Sequence, residues 1–309
     1  FAVGDKNISY VVLADEAAVQ ETVKKIEKED ILGNVKNAIK LGLDGIAITD
    51  HDNIEGSKIA VKYNTKNLKI YSGIELTASK SKLCRIELPP NARIHILGYN
   101  INLDSIELNE TLETVRKSSI HNILMYYEIM TRLHPETKLP KEEIDKLINT
   151  KSNIGRPQLA DLLIKYGICK DREDAFDNYL NEAYTIAKSK KLTTGLTEEE
   201  CIELITKAGG VPILAHPNSL RLSFDDLEKR ILYLKSIGLR GLETEHIHLN
   251  EVERAFLKGL CKKYDLLESG GTDYHGNGKP NVELGTGKNN NVKIYRLSLL
   301  DKVPNRYAV

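Results

Sequence analysis

Gly45-Ile46-Ala47-Ile48-Thr49-Asp50-His51-Asp52 begins with mostly apolar or β-branched residues and stops at three side chains that can bind metal or move protons. The first part has the composition of a short buried strand. A buried strand that ends in Asp-His-Asp delivers those side chains to one rim of a sheet. In parallel α/β architectures the carboxyl-end rim is where chemistry collects. The pattern recurs along the chain. Leu68-Lys69-Ile70-Tyr71-Ser72 runs into Gly73-Ile74-Glu75, and Val211-Pro212-Ile213-Leu214-Ala215 runs into His216-Pro217. Leu266-Leu267-Glu268-Ser269-Gly270-Gly271 runs into Thr272-Asp273-Tyr274-His275. Repeated strand ends that carry metal-competent residues point to one converging site.

The 309 residues are enough for one large α/β barrel or two ordinary domains. Lysine plus arginine and aspartate plus glutamate both number 44, so no global attraction to nucleic acid or membrane is implied. Cys84, Cys169, Cys201 and Cys261 are far apart, which suggests neither a disulfide framework nor a zinc ribbon. They read as incidental thiols in a reducing, cytoplasmic setting. The sequence carries no signal-peptide pattern and no apolar run of membrane-spanning length.

Residues 8–13 have strand composition and lead into Ala14-Asp15-Glu16. Residues 21–41 are largely helix-forming, with Leu32, Val35 and Ile39 on one face and Gly33 as a break that would divide them into two helices. Gly42 stops the helix before the 45–49 strand. A helix over 57–63 precedes the strand 68–72, and 93–99 partly alternates like another strand. Between Leu103 and Ala187 the βα rhythm gives way to helical patterns at 111–133, 141–149, 157–165 and 171–179. Alternation resumes with helices at 197–208, 224–237 and 249–264 and strands at 211–215, 241–244 and 266–269. These features predict an α/β fold: a barrel over 1–102 and 188–309, with a helical insertion domain over 103–187. Gly285-Thr286-Gly287-Lys288 lacks the spacing of a phosphate loop and reads as a turn.

Histidine with carboxylate at strand ends suits Mn²⁺, Fe²⁺ or Zn²⁺. Such ions acidify water and neutralise phosphate charge. A lone histidine at a strand end is more often a structural hydrogen-bonder, but several together favour ligation for His216, Asp273 and His275. Glu75 has two oxygens and could bridge two ions. His246 and His248 follow the 241–244 strand and read either as substrate contacts or as part of a solvated loop. His121 and His134 fall in the helical segment and read as ordinary surface groups.

Ile48-Thr49-Asp50-His51-Asp52, Ser72-Gly73-Ile74-Glu75, His95-Ile96-Leu97-Gly98, Ala215-His216-Pro217 and Gly270-Gly271-Thr272-Asp273-Tyr274-His275 together resemble the motifs of PHP (polymerase and histidinol phosphatase) phosphoesterases. The insertion, with Ile154-Gly155-Arg156-Pro157, looks like the subgroup that removes phosphate from nucleotide or oligonucleotide ends. The resemblance implies a distorted seven-stranded βα barrel and up to three divalent ions. Glu75, His95 and His216 would hold one ion. Asp273 would join Glu75 on a second, and His51 with His275, beside Asp50, would serve the third. Catalysis would rest on His51, Asp273 and Arg156. Arg156 would clamp phosphate through its planar fork, and His248 would make a further phosphate contact.

This chain departs from the family pattern twice. The family's first strand ends in Asp-Leu-His-x-His, whereas Ala17 and Val19 stand here where the two imidazoles would be, with Glu16 as an alternative carboxylate in a shifted register. Gln158 occupies a position where the subgroup often has histidine; it can hydrogen-bond phosphate but cannot deliver an acidic proton. The expected activity is therefore metal-dependent hydrolysis of phosphate esters on a nucleotide or nucleic-acid end. The competing expectation is a PHP-like protein that binds a phosphorylated ligand or a protein partner without turnover.

Overall fold

The computed structural model describes residues 30–149, 154–189, 195–275, 281–293, 299 and 302–308. The strand expected at 8–13, with Asp15, Glu16, Ala17 and Val19, lies outside these residues. Helix α1 (Asp30–Leu41) runs through Gly33 without a break. A Cβ there would meet nothing within 4 Å, so the glycine costs only its entropic penalty of about 1 kcal/mol. Gly42, at φ 65°, then ends the helix: its N–H donates to Ile39 O, and that of Leu43 to Ala38 O.

Strand β1 (Gly45–Ile48), helix α2 (Glu55–Ala60), strand β2 (Lys69–Ala78) and strand β3 (Ile94–Tyr99) follow. The insertion contributes α3 (Ile106–Leu133), α4 (Lys141–Ile148), α5 (Arg156–Lys165) and α6 (Arg172–Ala175). A π-helical stretch (Phe176–Leu180) continues α6 into α7 (Asn181–Ser189). The βα alternation then returns as α8 (Glu198–Lys207), β4 (Val211–Leu214), α9 (Phe224–Ser236), β5 (Gly241–Glu245), α10 (Glu251–Tyr264) and β6 (Leu267–Gly270). Residues 285–288 form a turn closed by paired hydrogen bonds between Glu283 and Gly287.

Among the described residues six strands form one sheet in chain order, from β1 to β6. β3 runs antiparallel to β2 and β4, and the remaining pairings are parallel. The carboxyl ends of β1, β4, β5 and β6 therefore share a rim with the start of β3. β2 does not stop at Ser72 as its composition suggested. It pairs with β1 over Lys69–Ser72, then continues against β3 over Gly73–Ala78. Gly73 stands at that handover because a Cβ would sit 2.7 Å from Thr49 Cγ2 and 2.8 Å from Ile48 O.

The chain forms two compact units, residues 1–108 with 196–309 and residues 109–195. The sheet unit has a core that includes Ile46, Ile70, Leu97 and Ile213, all fully buried. Each contributes about 2 kcal/mol by burial. Its opposite rim is tied down by the C-terminal residues. Asn305 Nδ2 donates to Asn64 Oδ1, Arg306 N–H to Asn100 Oδ1 at 2.7 Å, and Tyr307 OH accepts from Leu103 N–H. The helical unit has its own core, which includes Met130, Leu159, Leu163 and Leu180. Among the described residues, no helix is long and apolar enough to cross a membrane.

Candidate metal centre

Glu75 lies inside β2, paired across the ladder with Leu97 of β3. It sits on the rim because the chain beyond β1 returns to pair with it. Glu75 N–H donates to Asp50 O, and Asp52 N–H donates to Glu75 O. This bridge brings His51 beside Glu75, with Nε2 3.9 Å from Oε2. Antiparallel β3 presents His95 near its first residue, so the ring reaches the same rim as the other strands' last residues. His95 Nδ1 lies 2.7 Å from Glu75 Oε1 and 3.1 Å from His216 Nε2, and His216 Nε2 lies 3.2 Å from Glu75 Oε1.

His216 follows β4 at φ 28°, ψ 66°, a left-handed conformation that costs a non-glycine residue about 1–3 kcal/mol. Asp52 and Asp273 also have positive φ, at 48° and 52°. The strain is held on His216 from two sides. Its N–H donates to Glu243 Oε2 at 2.7 Å, and its carbonyl accepts from Ser219 N–H. Ser219 Oγ donates to Arg93 O at 2.7 Å, so it accepts from His216 Nδ1–H at 2.9 Å. His216 Nε2 is thereby directed into the cluster.

Burial pushes the Glu75 carboxyl up, but hydrogen bonds from His216 and His95 and the charges of His51 and His95 outweigh it and hold the group well below the usual range. Burial lowers His95 despite the adjacent carboxylate. For His216 the neighbouring carboxylates of Glu75, Glu243 and Asp273 outweigh burial and raise it. Asp50 and Asp52 are both raised by burial. The Asp50 carboxylate fills the space beside Gly56 in α2, where a Cβ would collide with it. Asp52 Oδ1 accepts from Thr77 N–H at 2.8 Å.

His246 and Asp273 continue the cluster. The His246 ring lies 5.4 Å from that of His216, and its Nε2 is 3.8 Å from Asp273 Oδ2. His275 Nδ1 is 3.3 Å from Asp273 Oδ1, and its ring lies 6.3 Å from that of His51. His246 is 2 % exposed, which excludes the solvated-loop alternative for it; it directly follows β5, whose register against β6 shifts between Glu243 and Glu245. His248 is exposed on the same loop. Arg156 and Gln158 belong to the helical unit. The Arg156 guanidinium stacks 4.1 Å over Tyr184 and 5.3 Å from Phe176, and donates to Asn181 Oδ1 at 3.3 Å. Gln158 Oε1 accepts from Gly155 N–H, which caps α5. His134 sits beside Glu182 and Glu136, and His121 is exposed.

Sequence reading missed Glu243. It is fully buried in the middle of β5, and its Oε1 has no hydrogen-bond partner among the described residues. Two acids in Gly-Leu-Glu-Thr-Glu look solvated, but the bulge sends Glu245 to Arg254 and Lys258 of α10 and leaves Glu243 under His216. Burial pushes its carboxyl up to about 8. Below about pH 4.5 both folded and unfolded forms are protonated and there is no penalty. As pH rises from 4.5 to 8 the unfolded form ionises first, so stability falls; above 8 the loss is complete, on the order of 5 kcal/mol at most. In urea titrations with EDTA, Glu243→Gln should lack this decline. An identical pH dependence in both proteins would contradict it.

The donor set fits a divalent ion. Ligands of one four-coordinate ion at about 2.1 Å stand roughly 3.4 Å apart, close to the 2.7–3.2 Å spacing among Glu75, His95 and His216. His51, Glu75 and His95 also offer ligand atoms within 4.8 Å of one another.

No protein-family model matches the chain. It is 25 % identical over 256 residues to the 5'-3' exoribonuclease Rnm of Escherichia coli, covering 81 % of each chain. It is 21 % identical over 244 residues to a 3',5'-nucleoside bisphosphate phosphatase of Chromobacterium violaceum, covering 78 % of this chain and 80 % of that one. A solved structure described as a proposed metal-dependent phosphoesterase, from Bifidobacterium adolescentis, superposes with a TM-score of 0.66 at 27 % identity, covering 84 % and 87 % of the two chains. The fold is shared with that phosphoesterase structure. The resemblance to PHP phosphoesterases read from the motifs holds in both sequence and fold.

Proposed function

We propose that this protein is a metal-dependent phosphoesterase that hydrolyses a phosphate ester on a nucleotide or nucleic-acid end. The observation that carries the reading is the convergence of Glu75 Oε1, His95 Nδ1 and His216 Nε2 within 3.2 Å on one rim. These three would hold one divalent ion, Mn²⁺, Zn²⁺ or Fe²⁺. Asp273 with Glu75 would hold a second, and His51 with His275 would serve a third. When bound, the ions supply Lewis acidity, which neutralises phosphate charge and acidifies water. Ser219 and Glu243 fix His216 for that task, and Asp52 fixes the bridge that carries His51. Within the helical unit Arg156, its fork stacked on Tyr184, would bind phosphate, and Gln158 would contribute only through an amide that caps its own helix; within the sheet unit His248 would make a phosphate contact. A seven-stranded barrel, as the resemblance implies, would need one strand beyond the six described.

Metal analysis of the purified chain, followed by phosphate release from a nucleoside 3',5'-bisphosphate and a 5'-phosphorylated RNA with added Mn²⁺, tests the reading. Bound metal with turnover supports it. Metal-free protein without turnover at any Mn²⁺ concentration favours a binding role. The substitutions at Ala17 and Val19 predict a weakly held ion. Ala17→His with Val19→His should therefore raise metal occupancy and phosphate release together, and no change in either would disprove that register.

Arg156→Lys should raise KM about tenfold with little change in kcat, because an ammonium cannot reproduce the bidentate fork or the stack on Tyr184. An unchanged KM with a lower melting temperature would assign Arg156 to the insertion's stability alone.

A further inference from the structure

We propose that His246 is a neutral hydrogen-bond donor to a phosphoryl oxygen of the substrate, with its proton fixed on Nε2. The inference rests on the phosphoesterase reading and adds a substrate contact to it. His248 N–H donates to His246 Nδ1 at 3.2 Å. A backbone amide can only donate, so Nδ1 carries the lone pair and the proton sits on Nε2. That Nε2 is buried and has no hydrogen-bond partner among the described residues, with Asp273 Oδ2 at 3.8 Å, beyond hydrogen-bond length. Leaving a buried N–H unsatisfied is costly, and such a group is explained by an acceptor that arrives with the ligand.

The neighbouring ring is set the other way. Ser219 spends its proton on Arg93 O and so takes the proton of His216 Nδ1, which leaves His216 Nε2 to face Glu75 and His95. Two imidazoles 5.4 Å apart are thus assigned opposite roles by what their Nδ1 atoms meet. With a cation bound, His216 would present its Nε2 lone pair to it, whereas His246 presents an N–H suited to an anion. Arg254 Nη2 donates to His246 O and Asn291 O, which holds the loop carrying the ring.

The test uses the full chain labelled with ¹⁵N-histidine. Long-range proton–nitrogen correlation should show His246 as the Nε2–H tautomer, with or without Zn²⁺. Inorganic phosphate titrated calorimetrically into Mn²⁺-loaded protein should bind about 10- to 100-fold more weakly to His246→Ala, the loss expected for one hydrogen bond to a charged group. His246→Gln, whose amide N–H₂ can replace Nε2–H, should bind close to the wild type. Mn²⁺ affinity should be the same in all three proteins. An Nδ1–H tautomer, or equal phosphate affinity in His246→Ala, overturns the proposal. So does Mn²⁺ affinity that falls in His246→Ala, because the ring would then be a ligand. If the wild type itself binds no phosphate with Mn²⁺ in place, the underlying phosphoesterase reading fails as well.

Discussion

Glu75→Gln is expected to bind Mn²⁺ more than about 100-fold more weakly than the wild type, since loss of an outer-shell partner alone typically costs 10- to 100-fold. Glu75 is the group on which the donors meet: its Oε1 is shared by His95 and His216, and its backbone carries the bridge to His51. An amide keeps the shape but loses the charge and one acceptor. Its single oxygen can replace only one of the two carboxylate oxygens; with it toward His95 and His216, the N–H₂ takes the place of the oxygen that faces His51 Nε2. Phosphate release should fall with metal affinity, while near-ultraviolet circular dichroism in EDTA stays close to that of the wild type. A variant that retains wild-type Mn²⁺ affinity and an intact fold would remove Glu75 from the metal centre.

A second large expected effect on stability lies away from the rim. Glu198, in the first turn of α8, and Arg230, in α9, form a fully buried ion pair. Glu198 Oε1 accepts from Arg230 Nε at 3.1 Å, and its Oε2 also accepts from Ser81 N–H at 3.0 Å. Arg230 Nη1 donates to Ile86 O at 2.7 Å. The pair thus pins the connection between β2 and β3, the two strands that carry Glu75 and His95. Glu198→Ala leaves a buried guanidinium without its counter-charge and should cost about 3–5 kcal/mol in urea unfolding. Glu198→Leu combined with Arg230→Met should recover most of that loss, because an apolar replacement of both partners removes the desolvation penalty. If the double variant is as unstable as the single, the carbonyl contacts of Arg230 matter more than its charge.

The strand positions, the later βα alternation and the identity of most rim residues were legible because they depend on local composition. Direction was not. Nothing in Arg93-Ile94-His95-Ile96-Leu97 says that β3 runs backwards, yet only the reversal places His95 on the rim. The continuation of β2 past Ser72 was hidden because Glu75 looked like a terminator, whereas a change of pairing partner at Gly73 lets the strand carry it. Glu243 was unreadable for a different reason. Its burial comes from a bulge set by the neighbouring strand, and two acids separated by one residue look solvated in isolation. The stacking of Arg156 on Phe176 and Tyr184 joins residues on separate helices, which periodicity cannot connect.

Because the strands lie in the sheet in the order of the chain, most of the ladder can close between neighbours. One pairing cannot: Ile96 meets Leu214 only after the whole inserted unit has been spanned. Closing so long a loop is the slow, entropy-limited event in such a topology. Glu75 and His95 come together in the early half and His216 arrives with the late half, so the centre is completed only at that closure. During synthesis the chain therefore carries half a site until the β3–β4 seam forms. Metal affinity would then report on the closure of that long-range seam.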